Sequence, residues 1–217
     1  MTSTLGNVTV NSKRYHDHMG ETELVAVLPP APGADRYVSL DFADSVATLP
    51  GDQGFDLLVT PRSATRWLAA HDLTQPDVRL YDVCAQRLRT LRGDIRTLFA
   101  ARVDGVVPPE RSLRALNDAL TLVPAAPLLA WDTEQGPHRV QAHPTDQAVN
   151  HALATLAADA ATLLSGPDAD RLAACDSAPC DRFLVRTHGR RQWCSTRCGD
   201  RVRAARARRG TTAHVKQ

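Results

Sequence analysis

Lysine is almost missing from this chain: of 26 cationic residues in 217, only Lys13 and Lys216 are lysines and the rest are arginines. Such a bias can follow from a GC-rich genome, so only the placement of the arginines is informative. Long apolar runs are missing too. No stretch reaches the roughly 18 apolar residues of a spanning helix, and the opening MTSTLGNVTVNSKRYHDHMG lacks the apolar core of a secretory signal. The chain is therefore expected in the cytoplasm, with no membrane partner. Catalytic signatures are absent as well: there is no G-x-S-x-G, no phosphate-cradling glycine loop and no H-E-x-x-H. His71, His138, His143 and His151 form no triad or metal spacing. The chain is read as a non-enzyme. The rival readings are an enzyme, either a zinc-finger nuclease using His188 as general base or a small-molecule enzyme in the body, and an adaptor for an acidic protein.

What is present is ordinary globular composition, 43% apolar and 23% charged, which argues against a largely disordered chain. The formal net charge of +2 hides a split. Residues 1–170 hold 14 cationic and 21 acidic residues, a net of −7, whereas residues 171–217 hold 12 and 3, a net of +9. An acidic body with a basic end points to a polyanion at that end, with nucleic acid first.

Four of the five cysteines lie in the basic end, Cys175, Cys180, Cys194 and Cys198, spaced C-x4-C-x13-C-x3-C. Two close pairs across a short segment fit one tetrahedral four-thiolate zinc site, structural because no position is left open for water. Disulfides are the alternative, and the missing secretory signal disfavours them. Four thiolates and Zn²⁺ carry −2, which lowers the module to about +7. Ser195 is placed to cap a helix running to about residue 209, and Cys198, Val202 and Ala205 would face the metal. Arg190, Arg191, Arg197, Arg201, Arg203, Arg206, Arg208 and Arg209 are the candidate nucleic-acid contacts, since arginine serves both phosphate and guanine edges. Phe183 and Trp193 are expected to pack a small core beside the metal.

The rest of the chain predicts a mainly α domain with a small β-sheet. Residues 1–36, rich in proline near their end, read as a flexible leader, and Tyr15–His18 within it as solvated. Val38–Phe42 alternates and reads as a strand. Thr60-Pro61 opens a helix over 62–71. Leu80, Cys84, Leu88, Leu91, Ile95, Leu98 and Phe99 form one stripe of a helix over about 77–102, with Cys84 as a small buried apolar group. Arg87, Arg89, Arg92 and Arg96 lie off the stripe, solvated or paired with acids. A helix follows near 110–122, then strands over 127–132 and 139–143, then an alanine-rich helix over 145–164. A flexible joint is expected at 165–172, and a flexible tail over 211–217.

The run Arg190-Arg191-Gln192-Trp193-Cys194-Ser195, followed by Cys198-Gly199-Asp200-Arg201, resembles the CGNR-type zinc finger of bacterial proteins. Leu40-Asp41-Phe42, Asp56-Leu57-Leu58, Trp67-Leu68, Leu91-Arg92 and Leu116-Asn117 make the body similar to the ABATE domain of stress-induced transcription regulators. The resemblance implies domains over 37–166 and 171–210, the second a small treble-clef-like finger. It also implies a zinc-dependent DNA-binding function in transcription regulation, and a body that senses a small-molecule effector. Asp41, Trp67, Arg92 and Asn117 are the candidate effector contacts, chosen for polarity or for the resemblance. A single finger favours a homodimer for specificity. The asparagine of the motif is Asp200 here, which would repel a phosphate.

Overall fold

The computed structural model describes residues 29–49, 53–123, 128–140 and 147–214. The Tyr15–His18 segment, with the rest of residues 1–28, lies outside the described residues.

The first element is a helix, α1 (Val38–Ala43), where alternation predicts a strand. Ser39, Leu40, Phe42 and Ala43 are all buried. A segment engulfed on nearly every side needs no polar face, so its five-residue pattern fits either period. The N–H of Ser39 is satisfied by Asp159 at 2.8 Å. A hairpin follows, β1 (Val46–Leu49) and β2 (Gln53–Asp56), paired antiparallel from Val46↔Asp56 to Leu49↔Gln53.

Helix α2 (Pro61–Ala70) starts where expected. Thr60 accepts from the N–H of Ser63, Ser63 accepts from the N–H of Thr60, and Pro61 occupies the first turn. This reciprocal cap satisfies two amides the helix itself cannot. The long helix α3 (Asp82–Asp104) begins five residues later than the stripe suggests. It ends at Gly105, whose φ of +67° suits a residue without Cβ. Ala85, Leu88, Leu91, Ile95, Leu98 and Phe99 are its buried line. Cys84 is only half-buried at the margin of that core.

Helix α4 (Glu110–Leu120), the hairpin β3 (Leu128–Asp132) and β4 (Gly136–Val140), and α5 (Ala148–Ser165) follow. Helices α3, α4 and α5 pack on one another, and α1 fits against α3 and α5. Together they bury one apolar core around Phe42, Trp67, Leu88, Phe99 and Leu156. No helix among the described residues is long and apolar enough to cross a membrane.

The corner after α5 differs from the flexible joint expected there. The side chain of Asp168 is buried and accepts from Arg36 (2.5 Å), from the hydroxyl of Tyr37 (3.1 Å) and from Arg171 (3.3 Å). A carboxylate removed from water is retained only with such partners, and here they tie the corner to the start of the body. A third hairpin follows, β5 (Leu172–Ala174) and β6 (Phe183–Val185), and then α6 (Thr196–His214). The backbone of α6 runs into the segment expected to be a tail.

The β5–β6 hairpin explains how body and finger meet. Leu172, Phe183 and Val185 belong to the body core, while Ala173 and Leu184 belong to the cluster around the four cysteines. Strand side chains alternate between faces, so this two-stranded sheet is a wall shared by two cores. Phe183 therefore does not pack beside the metal as expected. It meets Phe99 edge-on at 5.6 Å.

Residues 29–36 also depart from the expected leader. Ala31 lies in the cysteine cluster, and the N–H of Val185 donates to Pro32 at 2.7 Å. Gly33, at φ +97°, leaves no space for a Cβ, which would stand 2.7 Å from that of Val185. The segment is held because it covers the outer edge of β6.

Candidate metal centre and arginine face

One loop and one helix start bring the thiols together. Cys175 and Cys180 flank the loop between β5 and β6, where the N–H of Cys175 donates to Arg182 and that of Cys180 to Ser177. Cys194 stands just before α6 and Cys198 in its first turn. Ser195 is the cap, its hydroxyl accepting from the N–H of Cys198 at 3.2 Å. The Ser177 hydroxyl donates to the Cys198 carbonyl at 3.0 Å. Loop ligands opposite helix-start ligands give the treble-clef-like arrangement.

All four cysteines are buried and unbridged, and their sulfurs lie within 4.8 Å of one another. Zinc–thiolate bonds of about 2.3 Å in a tetrahedron put sulfurs about 3.8 Å apart. Cys194 lies 3.7 Å from Cys180 and 3.6 Å from Cys198, sulfur to sulfur. The donor set and its spacing fit one structural zinc ion, and no place remains for a substrate.

The surroundings favour negative charge on sulfur. The N–H of Cys194 donates to the Cys175 sulfur at 3.4 Å. Arg182 approaches the Cys194 sulfur at 4.0 Å and Arg201 that of Cys198 at 3.7 Å. Hydrogen bonds from Cys175 and Cys180 hold the Cys194 thiol far below its ordinary value, and Arg182 adds to the effect. Cys180 moves up, through its bonds to Cys175 and Cys194. Zinc binding to cysteines releases thiol protons. Arg182 and Arg201 thus place positive charge beside a centre of charge −2.

Arg182 does more than face sulfur. Its Nε donates to Asp44 at 3.0 Å and its Nη1 to the carbonyl of Pro29 at 3.1 Å, and the other Asp44 oxygen accepts from the N–H of Phe183 at 2.8 Å. The ion pair is almost entirely enclosed, with the side chains of Arg182 and Asp44 3% and 0% exposed. Arg96 of α3 makes a second bridge to the finger, donating to both the carbonyl and the carboxylate of Asp181. Neither contact is signalled by the sequence; each pairs residues more than 80 positions apart.

The expected nucleic-acid residues separate into groups. Arg201 is half-buried and donates to the carbonyl and hydroxyl of Ser177, so it serves the zinc centre. Arg190, Arg197, Arg203, Arg206 and Arg208 are exposed, and Arg191 is half-buried with its Nε on the carbonyl of Trp193. Arg209 continues α6, its side chain outside the described set. Arg190, Arg191, Trp193, Thr196, Gly199 and Arg203 line a cleft of about 220 Å³ at the start of α6. His188, the nuclease candidate, also lines it, and no carboxylate is among the lining residues to serve as its partner or hold a catalytic metal.

The four candidate effector residues are not gathered into one pocket. Asp41 accepts or shares a proton with His71 at 2.8 Å; the other ring nitrogen of His71 meets the Trp67 carbonyl at 2.8 Å, and the ring stacks on Trp67 at 4.0 Å. Burial pushes His71 down, but the bonds to Asp41 and the Trp67 carbonyl outweigh it and leave its pKa raised. Arg92 holds Asp56 through two bonds of 2.7 and 2.6 Å and donates to Ser45. Asn117 is on the exposed side of α4. Asp41, Trp67 and Arg92 thus make contacts within the body. A cleft of the body is lined by Leu80, Tyr81, Cys84, Arg87 and Asn150, none of them among the four.

Comparison with known proteins agrees with this anatomy. No curated protein matches the chain. Residues 171–209 match the family model of the CGNR zinc finger. Residues 37–167 match the model named ABATE, described as "putative stress-induced transcription regulator". That match spans more than half of the chain, which therefore belongs to the ABATE family and carries a CGNR zinc finger at its C-terminal side.

Proposed function

We propose that this chain is a transcription regulator that binds DNA through its zinc finger, with Arg190, Arg191, Arg197, Arg203, Arg206, Arg208 and Arg209 as the contacting set. One observation carries the reading. Arg182 and Arg201 stand beside the sulfurs, while Arg190, Arg197, Arg203, Arg206 and Arg208 of the loop and α6 are exposed. Arginine in such a set contacts backbone phosphates and, where the helix enters the major groove, base edges. Arg201 is left out because its guanidinium is committed inside the finger. The acidic body adds no attraction for DNA, so the finger is the contact.

Regulation follows from the attachment. The finger is held by α1 and the middle of α3, so an effector that alters DNA binding from the body would act by moving one of these two helices.

The test is fluorescence anisotropy of zinc-loaded protein on duplex DNA across a salt series. Each phosphate contact contributes a slope of about −0.9 in log K against log salt. Four or more contacts predict a slope of about −4 or steeper. No binding, or binding indifferent to salt, would overturn the reading.

A further inference from the structure

The cleft at the start of α6 has a shape that a merely basic surface does not require. Gly199 sits on its floor. A Cβ there would stand 3.0 Å from Cε3 of Trp193 and 3.2 Å from Nη1 of Arg203. Both contacts are closer than side chains accept comfortably, so the glycine is what lets the indole and the guanidinium lie over the first turn of the helix. Trp193 is also fixed from behind, since it packs on the cysteine cluster and its carbonyl accepts from Arg191. Arg203 lies over the indole face, 5.8 Å from the ring centroid. The indole N–H of Trp193 has no hydrogen-bond partner among the described residues. That N–H is closed to solvent, in a residue that lines the cleft with Arg190, Arg191 and Arg203.

We infer that this cleft is the seat of one backbone phosphate of the bound nucleic acid, gripped by Arg203, Arg190 and Arg191, with Asp200 as an internal competitor for Arg203. The inference rests on the DNA-binding reading and assigns the seat within it. Three guanidinium groups and the Thr196 hydroxyl are donors on the lining residues, and no carboxylate is among them. That is the chemistry of an oxyanion site. In the free protein Asp200 holds Arg203 at 2.5 Å, with both side chains largely exposed. An incoming phosphate must take Arg203 from that carboxylate. Aspartate in place of the motif asparagine therefore weakens the grip without touching the zinc ligands.

The experiment follows the Trp193 indole N–H by ¹⁵N NMR in the full, zinc-loaded chain, assigned by a Trp193→Phe variant. It is titrated with duplex DNA and, separately, with inorganic phosphate at constant ionic strength, alongside anisotropy on the same duplex. Saturation of the indole shift by duplex supports the seat. So do an affinity loss of about tenfold in Arg203→Gln, a salt slope shallower by about one, and a severalfold gain in Asp200→Asn. Gly199→Ala should match Arg203→Gln. Zinc content of one equivalent in each variant shows that the finger is intact, and Arg203→Gln alone keeps the test valid if Gly199→Ala misfolds. An indole unmoved by duplex that anisotropy shows to be bound overturns the seat while the DNA reading stands. A shift with phosphate but not with duplex overturns the assignment to the backbone. No binding by anisotropy overturns the DNA reading itself.

Discussion

The body and the finger are built on opposite principles. The body is net acidic and draws its stability from an apolar core of helices, with Phe42, Trp67, Phe99 and Leu156 inside it. The finger is net basic, and among the described residues its own cluster holds Ala31, Ala173, Leu184 and the margin of Trp193 beside four cysteines. A segment so poor in apolar surface needs metal to fold. Yet the two are not beads on a string. They share the β5–β6 wall, and their opposite charges meet at the seam, Asp44 with Arg182 and Arg96 with Asp181. The Asp44–Arg182 pair follows the asymmetry that suggests a polyanion partner for the finger, whereas Arg96–Asp181 runs against it.

The largest perturbation of this contrast is loss of the metal. Chelation or Cys194→Ser should remove the zinc, a term of about 10–16 kcal/mol for small fingers at neutral pH. If the wall is truly shared, the thermal transition of the body falls as well, measured by circular dichroism against zinc content. A body transition that ignores zinc would restore the picture of two separate modules.

Next in size is the seam itself. Asp44→Ala leaves Arg182 buried without its partner, at a cost of about 3–5 kcal/mol. Urea unfolding should show a lower midpoint for body and finger signals together. A smaller effect is expected from Gly33→Ala. The added Cβ collides with Val185 and strains a positive φ, costing about 1–3 kcal/mol, read from the same urea curve.

The smallest effect is confined to the body and so tests the contrast from the other side. The pKa of His71 is raised in the folded state, mainly by Asp41 and the Trp67 carbonyl against burial. A raised value means that the contribution to stability is fully present below the unfolded pKa of about 6.5 and is lost as pH rises through the folded pKa. The stability gap between the native chain and Asp41→Asn should therefore be wider at about pH 6 than at about pH 9, with zinc content unchanged at both. A gap that does not narrow toward alkaline pH would contradict the pairing.

Much of this was legible in the sequence. The leucine stripe marked α3, Thr60-Pro61 marked the start of α2, and Ser195 marked the start of α6. The cysteine spacing marked the metal centre, because tetrahedral ligation constrains spacing tightly. What escaped has a common cause. Five alternating residues over 38–42 fit a strand as well as an engulfed helix. The three-residue strands β5 and β6 are too short to show a period, so nothing assigned Phe183 and Val185 to one core and Leu184 to the other. Asp44, Arg96, Asp181 and Arg182 are ordinary charges until the chain folds. Arg201 looked like its neighbours on α6, and only the position of Ser177 reveals that it turns inward.

The most direct test of the shared wall is hydrogen exchange on the full chain with zinc and after chelation. One folded unit predicts that amides of α1 and the middle of α3, including Leu40, Ile95 and Phe99, lose protection together with Phe183–Val185 when zinc is removed. Unchanged protection in α1 and α3 beside a fully exchanged finger would contradict it.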